Sequence, residues 1–173
     1  MKILVINGPN INLLGLREPH LYGANDYAAL LEFIHGVCSV LGAEAECFQS
    51  NHEGAIVDAI QCAYGRFDGI VINPAAYTHT SVAILDALKA VGMPTVEVHL
   101  TNIREREEFR RISYASMACE RTIAGMGFEG YAEAVRHLVL NYGNKPESRV
   151  SASLRESATQ PSQPVQPAQP AFM

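Results

Sequence analysis

The sequence is short of several things, and each shortage removes a class of function. No stretch of its 173 residues approaches the roughly 20 consecutive apolar residues that a membrane-spanning helix needs. The apolar run after Lys2 is too short for a secretory signal and reads as a strand. Basic residues are not in excess. The 13 Lys and Arg stand against 18 Asp and Glu, a formal charge of −5, which argues against broad binding to nucleic acid or to an acidic membrane. Only four cysteines occur, Cys38, Cys47, Cys62 and Cys119. None forms a Cys-x-x-Cys pair or stands at metal spacing from a histidine. Each falls in an apolar stretch, as small buried hydrophobes in a reducing compartment do. A phosphate-binding Gly-x-x-x-x-Gly-Lys-Ser/Thr loop is absent, and so is a Gly-x-Ser-x-Gly elbow. The expectation is a cytoplasmic protein with no nucleic-acid or membrane partner.

What is present is an ordinary globular composition, 48% hydrophobic and 18% charged, in a chain long enough for one domain with a sizeable core. The organising stretch is Asn7 to Gly23, rich in Gly, Pro and Asn. It follows the apolar run Ile3-Leu4-Val5-Ile6 and precedes a periodic helix that begins near Asp26. It is therefore a long loop at the carboxyl end of a first strand, where open α/β sheets bind ligands. A loop this long in a compact domain is functional or disordered. Ile11, Leu13, Leu14 and Leu16 argue against disorder, and Arg17 and Tyr22 are residues that a plain turn does not need.

Strands are expected at about 2–7, 43–49, 69–73, 95–100 and 119–124. Helices are expected at about 26–41, 53–64, 81–91, 104–111 and 129–142. Gly69 to Asn73 is apolar until its last residue, as a central parallel strand should be. Alternating strands and helices with short connections predict an α/β fold, a flavodoxin-like three-layer arrangement with a five-stranded parallel sheet. The catalytic domain is expected over residues 1–145. From Pro146 the composition shifts, and Pro161, Pro164, Pro167 and Pro170 recur every third residue. Residues 146–173 read as a Pro/Gln-rich flexible tail outside the fold. A Pro-x-x-Pro ligand for a partner domain is the alternative.

Gly125-Met-Gly-Phe-Glu-Gly130 matches a dinucleotide-binding pattern. No further strand with an acidic ribose-binding residue follows it, so it reads as a turn and a helix start. Polar groups at the ends of the first, third and fourth strands are more informative. They are Asn10, Arg17 and Tyr22, then Asn73 and His79, then Glu97 and His99 with Thr101 just beyond. Strand ends on one edge of a doubly wound sheet converge on a single crevice. Glu97 and His99, two apart on a strand, share a face, so the carboxylate can orient the imidazole. A salt bridge at a strand end is the plain alternative. Arg106 and Arg110 share a helical face and suit either an anion or surface pairing with Glu105, Glu107 and Glu108; spacing does not choose. His79 and His99 lack a third ligand at metal spacing, so no metal site is expected. What remains is acid–base chemistry on a small polar anion, or the binding of such an anion without chemistry.

Three long motifs carry a resemblance. They are Asn7 to Gly23, Ile72-Asn-Pro-Ala-Ala-Tyr-Thr-His-Thr-Ser81, and Glu97-Val-His-Leu-Thr-Asn-Ile-Arg-Glu-Arg-Glu-Glu-Phe-Arg110. In order and spacing they resemble the type II 3-dehydroquinate dehydratases, from about Met1 to Gly143. The resemblance implies a flavodoxin-like fold, a homododecamer built as a tetramer of trimers, no cofactor, and conversion of 3-dehydroquinate to 3-dehydroshikimate in the shikimate pathway or in quinate breakdown. It implies that Tyr22 is the base that forms an enolate, with Arg17 assisting. Asn10 would hold a water on the enolate oxygen, and His99, oriented by Glu97, would be the acid. Asn73, His79 and Arg110 would bind substrate hydroxyls. Leu100 and Thr101 would offer backbone N–H groups to the substrate carboxylate. Arg106 would join a closing lid, and Asp86 would reach a neighbouring subunit's site. The chain departs from the family pattern at Arg104, at Ile112 and at Cys119 to Arg121. None of these is expected to touch the chemistry.

Overall fold

The structure is a computed structural model that describes residues 1–16 and 26–143. Arg17 and Tyr22, and residues 146–173 of the expected tail, lie outside the described residues. Among the described residues, five strands form one parallel sheet: β1 (Lys2–Asn7), β2 (Glu44–Gln49), β3 (Gly69–Asn73), β4 (Thr95–His99) and β5 (Arg121–Ala124). Their spatial order is β2-β1-β3-β4-β5, the doubly wound arrangement of a flavodoxin-like fold, in which the order reverses between β1 and β3. Register pairs Asn7 with Asn73, so the last residues of these two strands lie side by side.

Among the described residues, four α-helices cover the sheet: α1 (Tyr27–Val40), α2 (Glu53–Ala63), α3 (Val82–Val91) and α4 (Glu129–Tyr142). Alternation along the strands sends successive side chains to opposite faces. Ile3, Val5, Val71, Val96 and Val98 pack against Leu30, Ile34, Tyr131 and Leu138 of α1 and α4. Leu4, Ile6, Ile70 and Ile72 pack against Ile56, Ile60, Ile84 and Leu88 of α2 and α3. Thr95, Glu97 and His99 fall on this second face, where an apolar residue is replaced by a buried carboxylate and an imidazole. Asp26 and Ser81 cap α1 and α3 by accepting from the N–H groups of Ala29 and Ile84.

Two expectations are corrected. Residues 104–111 do not form a helix. Two 3-10 turns, Ile103–Glu105 and Glu108–Arg110, are separated by an extended Arg106. An isolated helix of two turns is poorly nucleated, and here Asn102 accepts from the Arg104 N–H to favour the tighter turn. The cysteines are not all buried. Cys62 is exposed on α2, while Cys38 is buried and Cys47 and Cys119 are half-buried. Burial pushes the Cys47 thiol up to about 12, with the neighbouring Cys38 adding to the effect. The glycine motif at 125–130 is the turn between β5 and α4, as expected.

Candidate active site

A cavity of about 290 Å³ opens over the carboxyl ends of β1, β3 and β4. Its walls come from the connections after these three strands. The first, after β1, contributes Asn10, Ile11, Leu13 and Leu14; the second, after β3, contributes Asn73, Ala75 and His79. His99, Leu100 and Thr101 form the end of β4, and Arg106 and Arg110 close the mouth. The cavity thus gathers every sequence-predicted residue that the structure describes except two. Glu97 lies beneath it, against His99. Asp86 is exposed on α3 and does not line the cavity of its own chain.

The first two loops approach each other closely. The Gly8 N–H donates to the Asn73 carbonyl at 2.8 Å. A Cβ on Gly8 would lie 2.4 Å from the Pro74 carbonyl oxygen, so glycine is required there by space. Asn10 and Ala75 both hold positive φ, 66° and 52°. These are the only non-glycine residues with that geometry among the described residues, and both sit on the cavity wall, where strain collects at functional loops. The Asn10 N–H donates to Asn51 Oδ1 at 3.0 Å, and the Tyr77 hydroxyl donates to the Asn51 carbonyl at 2.9 Å. Asn51 therefore links the loops after β1 and β3. Ile11 and Leu14 anchor the first loop in the core, whereas Leu13 and Leu16 face outward.

Beneath the floor, one hydroxyl joins the two strand ends. Tyr131 on α4 is fully buried; its O–H donates to Asn7 Oδ1 at 2.6 Å and accepts from Asn73 Nδ2 at 2.9 Å. Asn73 Oδ1 accepts from the Ala75 N–H at 3.2 Å. The Asn73 amide is thus held by internal bonds while it lines the cavity. Burial raises the Tyr131 phenol well above its usual range, so it stays protonated as this bridge requires.

On the other face, Glu97 is inaccessible to solvent. His99 Nε2 lies 2.9 Å from Glu97 Oε1, with its N–H off the line of a hydrogen bond. Thr78 Oγ1 and Ser113 Oγ both reach Oε1, the latter at 2.8 Å, and Thr122 Oγ1 donates to Oε2 at 2.9 Å. Burial alone would raise the Glu97 carboxyl. The charge of His99 at that distance, with the Thr78 and Ser113 hydroxyls, outweighs it and holds the group below the usual carboxylate range. With Nε2 turned to Glu97, Nδ1 is the nitrogen left for the cavity. His99 is itself 95% buried, so a proton exchanged there meets little water.

His79 is held from outside the cavity. Its Nδ1 donates to the Ile112 carbonyl at 2.7 Å, because a carbonyl only accepts. Ile112 therefore does touch the candidate site, and the expectation that it stands clear is corrected for that residue; Thr122, just past the Cys119–Arg121 segment, brings the fifth strand onto Glu97. Arg106 and Arg110 both flank Glu107, at 3.7 and 3.3 Å. The arginines thus pair on the surface with Glu107 and also line the mouth. Among the described residues, no three His, Cys, Asp or Glu side chains converge as a metal-binding group. No described helix is long and apolar enough to cross a membrane.

A 2-1-3-4-5 parallel sheet with a carboxylate–imidazole pair under a polar cavity defines a flavodoxin-like protein equipped for acid–base chemistry. Residues 1–139 match the family model described as Dehydroquinase class II. The chain is 56% identical over 141 residues to catabolic 3-dehydroquinase 1 of Aspergillus terreus, covering 82% of this chain and 93% of that one. It is 54% identical over 138 residues to the 3-dehydroquinate dehydratase of Clostridium acetobutylicum, covering 80% and 96%. The crystal structure of a type II dehydroquinase from Butyrivibrio crossotus superposes with a TM-score of 0.78 at 54% identity, over 80% of this chain and 97% of that one. The chain belongs to the class II dehydroquinase family, a family of hydro-lyases.

Proposed function

We propose that the protein removes water from 3-dehydroquinate to give 3-dehydroshikimate through an enolate, with Tyr22 as base and His99 as acid. The observation that carries this reading is the buried Glu97–His99 pair under the cavity. A protein that merely holds an anion has no need of an imidazole backed by a buried carboxylate.

In the proposed sequence, the Tyr22 phenolate takes a proton from the carbon next to the ketone. An unperturbed phenol titrates near 10, and the cationic Arg17 would favour the phenolate. The electron pair moves onto the ketone oxygen as an enolate. Asn10 would hold a water that hydrogen-bonds this oxygen, stabilising charge where it develops. The enolate then collapses, the C–O bond to the hydroxyl breaks, and His99 gives its Nδ1 proton so that water departs. Glu97 stays ionised and stabilises the imidazolium before transfer. Asn73, His79 and Arg110 would hold the substrate hydroxyls, Leu100 and Thr101 the carboxylate, and Arg106 the closed mouth. These roles rest on the motif resemblance, supported for the described residues by their presence around one cavity.

We further infer that the enzyme works in the cytoplasm as a homododecamer, a tetramer of trimers, with Asp86 completing a neighbouring site. The outward position of Asp86 supports that arrangement. The test is a direct assay. The full-length protein is mixed with 3-dehydroquinate and the ultraviolet absorbance of the conjugated product is followed. A steady rise that Tyr22→Phe abolishes, with substrate binding kept in calorimetry, is expected. No rise from the folded wild type would turn the reading to a binding protein.

A further inference from the structure

Three hydroxyl side chains converge on Glu97, and none belongs to the acid–base pair. Thr78 comes from the turn after β3, Ser113 from the segment after the two arginine-bearing turns, and Thr122 from β5. Thr78 and Ser113 are buried, and both crowd Oε1. Their oxygens are also 2.7 Å apart. Two hydroxyl protons thus serve three oxygens. Whether Ser113 donates to Oε1 directly or to Thr78, at least one proton points at the carboxylate. Ser113 Oγ in turn accepts from the Ser116 N–H at 2.9 Å, which fixes its lone pair and leaves its proton to the cluster. The titratable groups that face Glu97 are His99 from its own strand and Cys119 from the stretch before β5.

We propose that Thr78 and Ser113 are positioning residues for the acid: their hydroxyls keep Glu97 supplied with donors, so that it remains a carboxylate and leaves the proton on His99. This rests on His99 being the acid. The physical reason is competition. A buried carboxylate without donors recovers its lost solvation by taking a proton, and the nearest one is on His99. Donated hydrogen bonds favour the charged form and remove that incentive. Thr78 and the neighbours of Ser113 also brace the site from outside the cavity. The Tyr114 N–H donates to the Thr78 carbonyl at 2.7 Å, and the carbonyl beside Ser113 holds His79. The segment after the arginine turns is therefore stitched to the turn that carries His79 at the point where both reach Glu97.

Thr78→Val keeps the side-chain shape and removes the hydroxyl, and Thr78→Ser restores it. Ser113→Ala removes the second donor. The full-length proteins are compared by the pH dependence of kcat/KM and, independently of turnover, by carbon-13 titration of the labelled Glu97 carboxyl. In Thr78→Val and Ser113→Ala the Glu97 midpoint should rise by about one pH unit, and the acid limb of kcat/KM should rise with it. Thr78→Ser should follow the wild type. An unmoved midpoint in the folded variants overturns the proposal, and so does Thr78→Ser behaving like Thr78→Val, since shape and not the hydroxyl would then matter. If Thr78→Val does not fold, Ser113→Ala decides alone. A wild type that never turns over 3-dehydroquinate defeats the functional reading, and the carbon titration still decides whether the hydroxyls hold Glu97 ionised.

Discussion

The imidazole of His79 donates from Nδ1 to the carbonyl of Ile112 across 2.7 Å, and this bond chooses the tautomer. With the proton on Nδ1, a neutral ring presents Nε2 as an acceptor. A cavity that already holds two arginines and several N–H donors gains from one acceptor, because a substrate hydroxyl must donate somewhere. His79→Ala is expected to raise KM by about tenfold, the worth of one hydrogen bond near 1.4 kcal/mol, with a smaller effect on kcat. Steady-state kinetics on 3-dehydroquinate would check it. An unchanged KM would remove His79 from substrate binding.

Tyr131 makes a second prediction. Its hydroxyl satisfies Asn7 Oδ1 and accepts from Asn73 Nδ2 in a region that water does not reach. Tyr131→Phe leaves the ring packing intact and strands two buried amide groups, at about 1–3 kcal/mol. Urea unfolding should show that loss with an unchanged m-value. KM should rise as well, because the Asn73 amide loses the bond that fixes its angle.

Gly8 offers a steric test. Even one methyl group there would sit 2.6 Å from the Pro74 carbonyl carbon, so the loops after β1 and β3 would have to part. Gly8→Ala is expected to cost about 1–3 kcal/mol, the range for an overpacked site, and to lower kcat/KM beyond what the stability loss explains. Measured melting temperature and activity at a permissive temperature would separate the two effects.

A fourth prediction concerns pH and stability. The folded Glu97 carboxyl lies below its ordinary value, so folding favours the ionised form. Its contribution is complete above the ordinary carboxylate value, about 4.3, and is lost as the pH falls through the lower folded value. Glu97→Gln should therefore be less stable than the wild type near neutrality, and the gap should narrow as the pH drops below about 4. Urea midpoints collected across that window would show it; a gap independent of pH would mean that charge plays no part.

Much of this was legible from residue order. The apolar run at 3–6, the helical spacing of Leu30, Ile34 and Cys38, and the capping residue Asp26 each led to the observed element, because burial is a local pattern repeated along the chain. The cavity residues were legible because strand ends of a parallel sheet share one edge. What stayed hidden depends on contacts distant in sequence. Tyr131 reads as a core aromatic, and only the register of Asn7 with Asn73 turns its hydroxyl into a bridge. Thr78, Ser113 and Thr122 look like ordinary turn and strand residues until three elements bring them to one carboxylate. The stretch 104–111 has helical charge spacing, yet the pull of Glu107 on Arg106 and Arg110 and the cap from Asn102 favour two short turns.

The bridge from Tyr131 to Asn7 spans 124 positions, joining the first strand to the last of the described helices. During synthesis the chain emerges from its amino end, so the bond from Asn7 Oδ1 to Tyr131 must wait until α4 has left the ribosome. A chain halted before Tyr131 would have β1 to β5 and every described residue that lines the cavity, and no bridge beneath them. The floor of the cavity is therefore set only after every residue that lines it has been made.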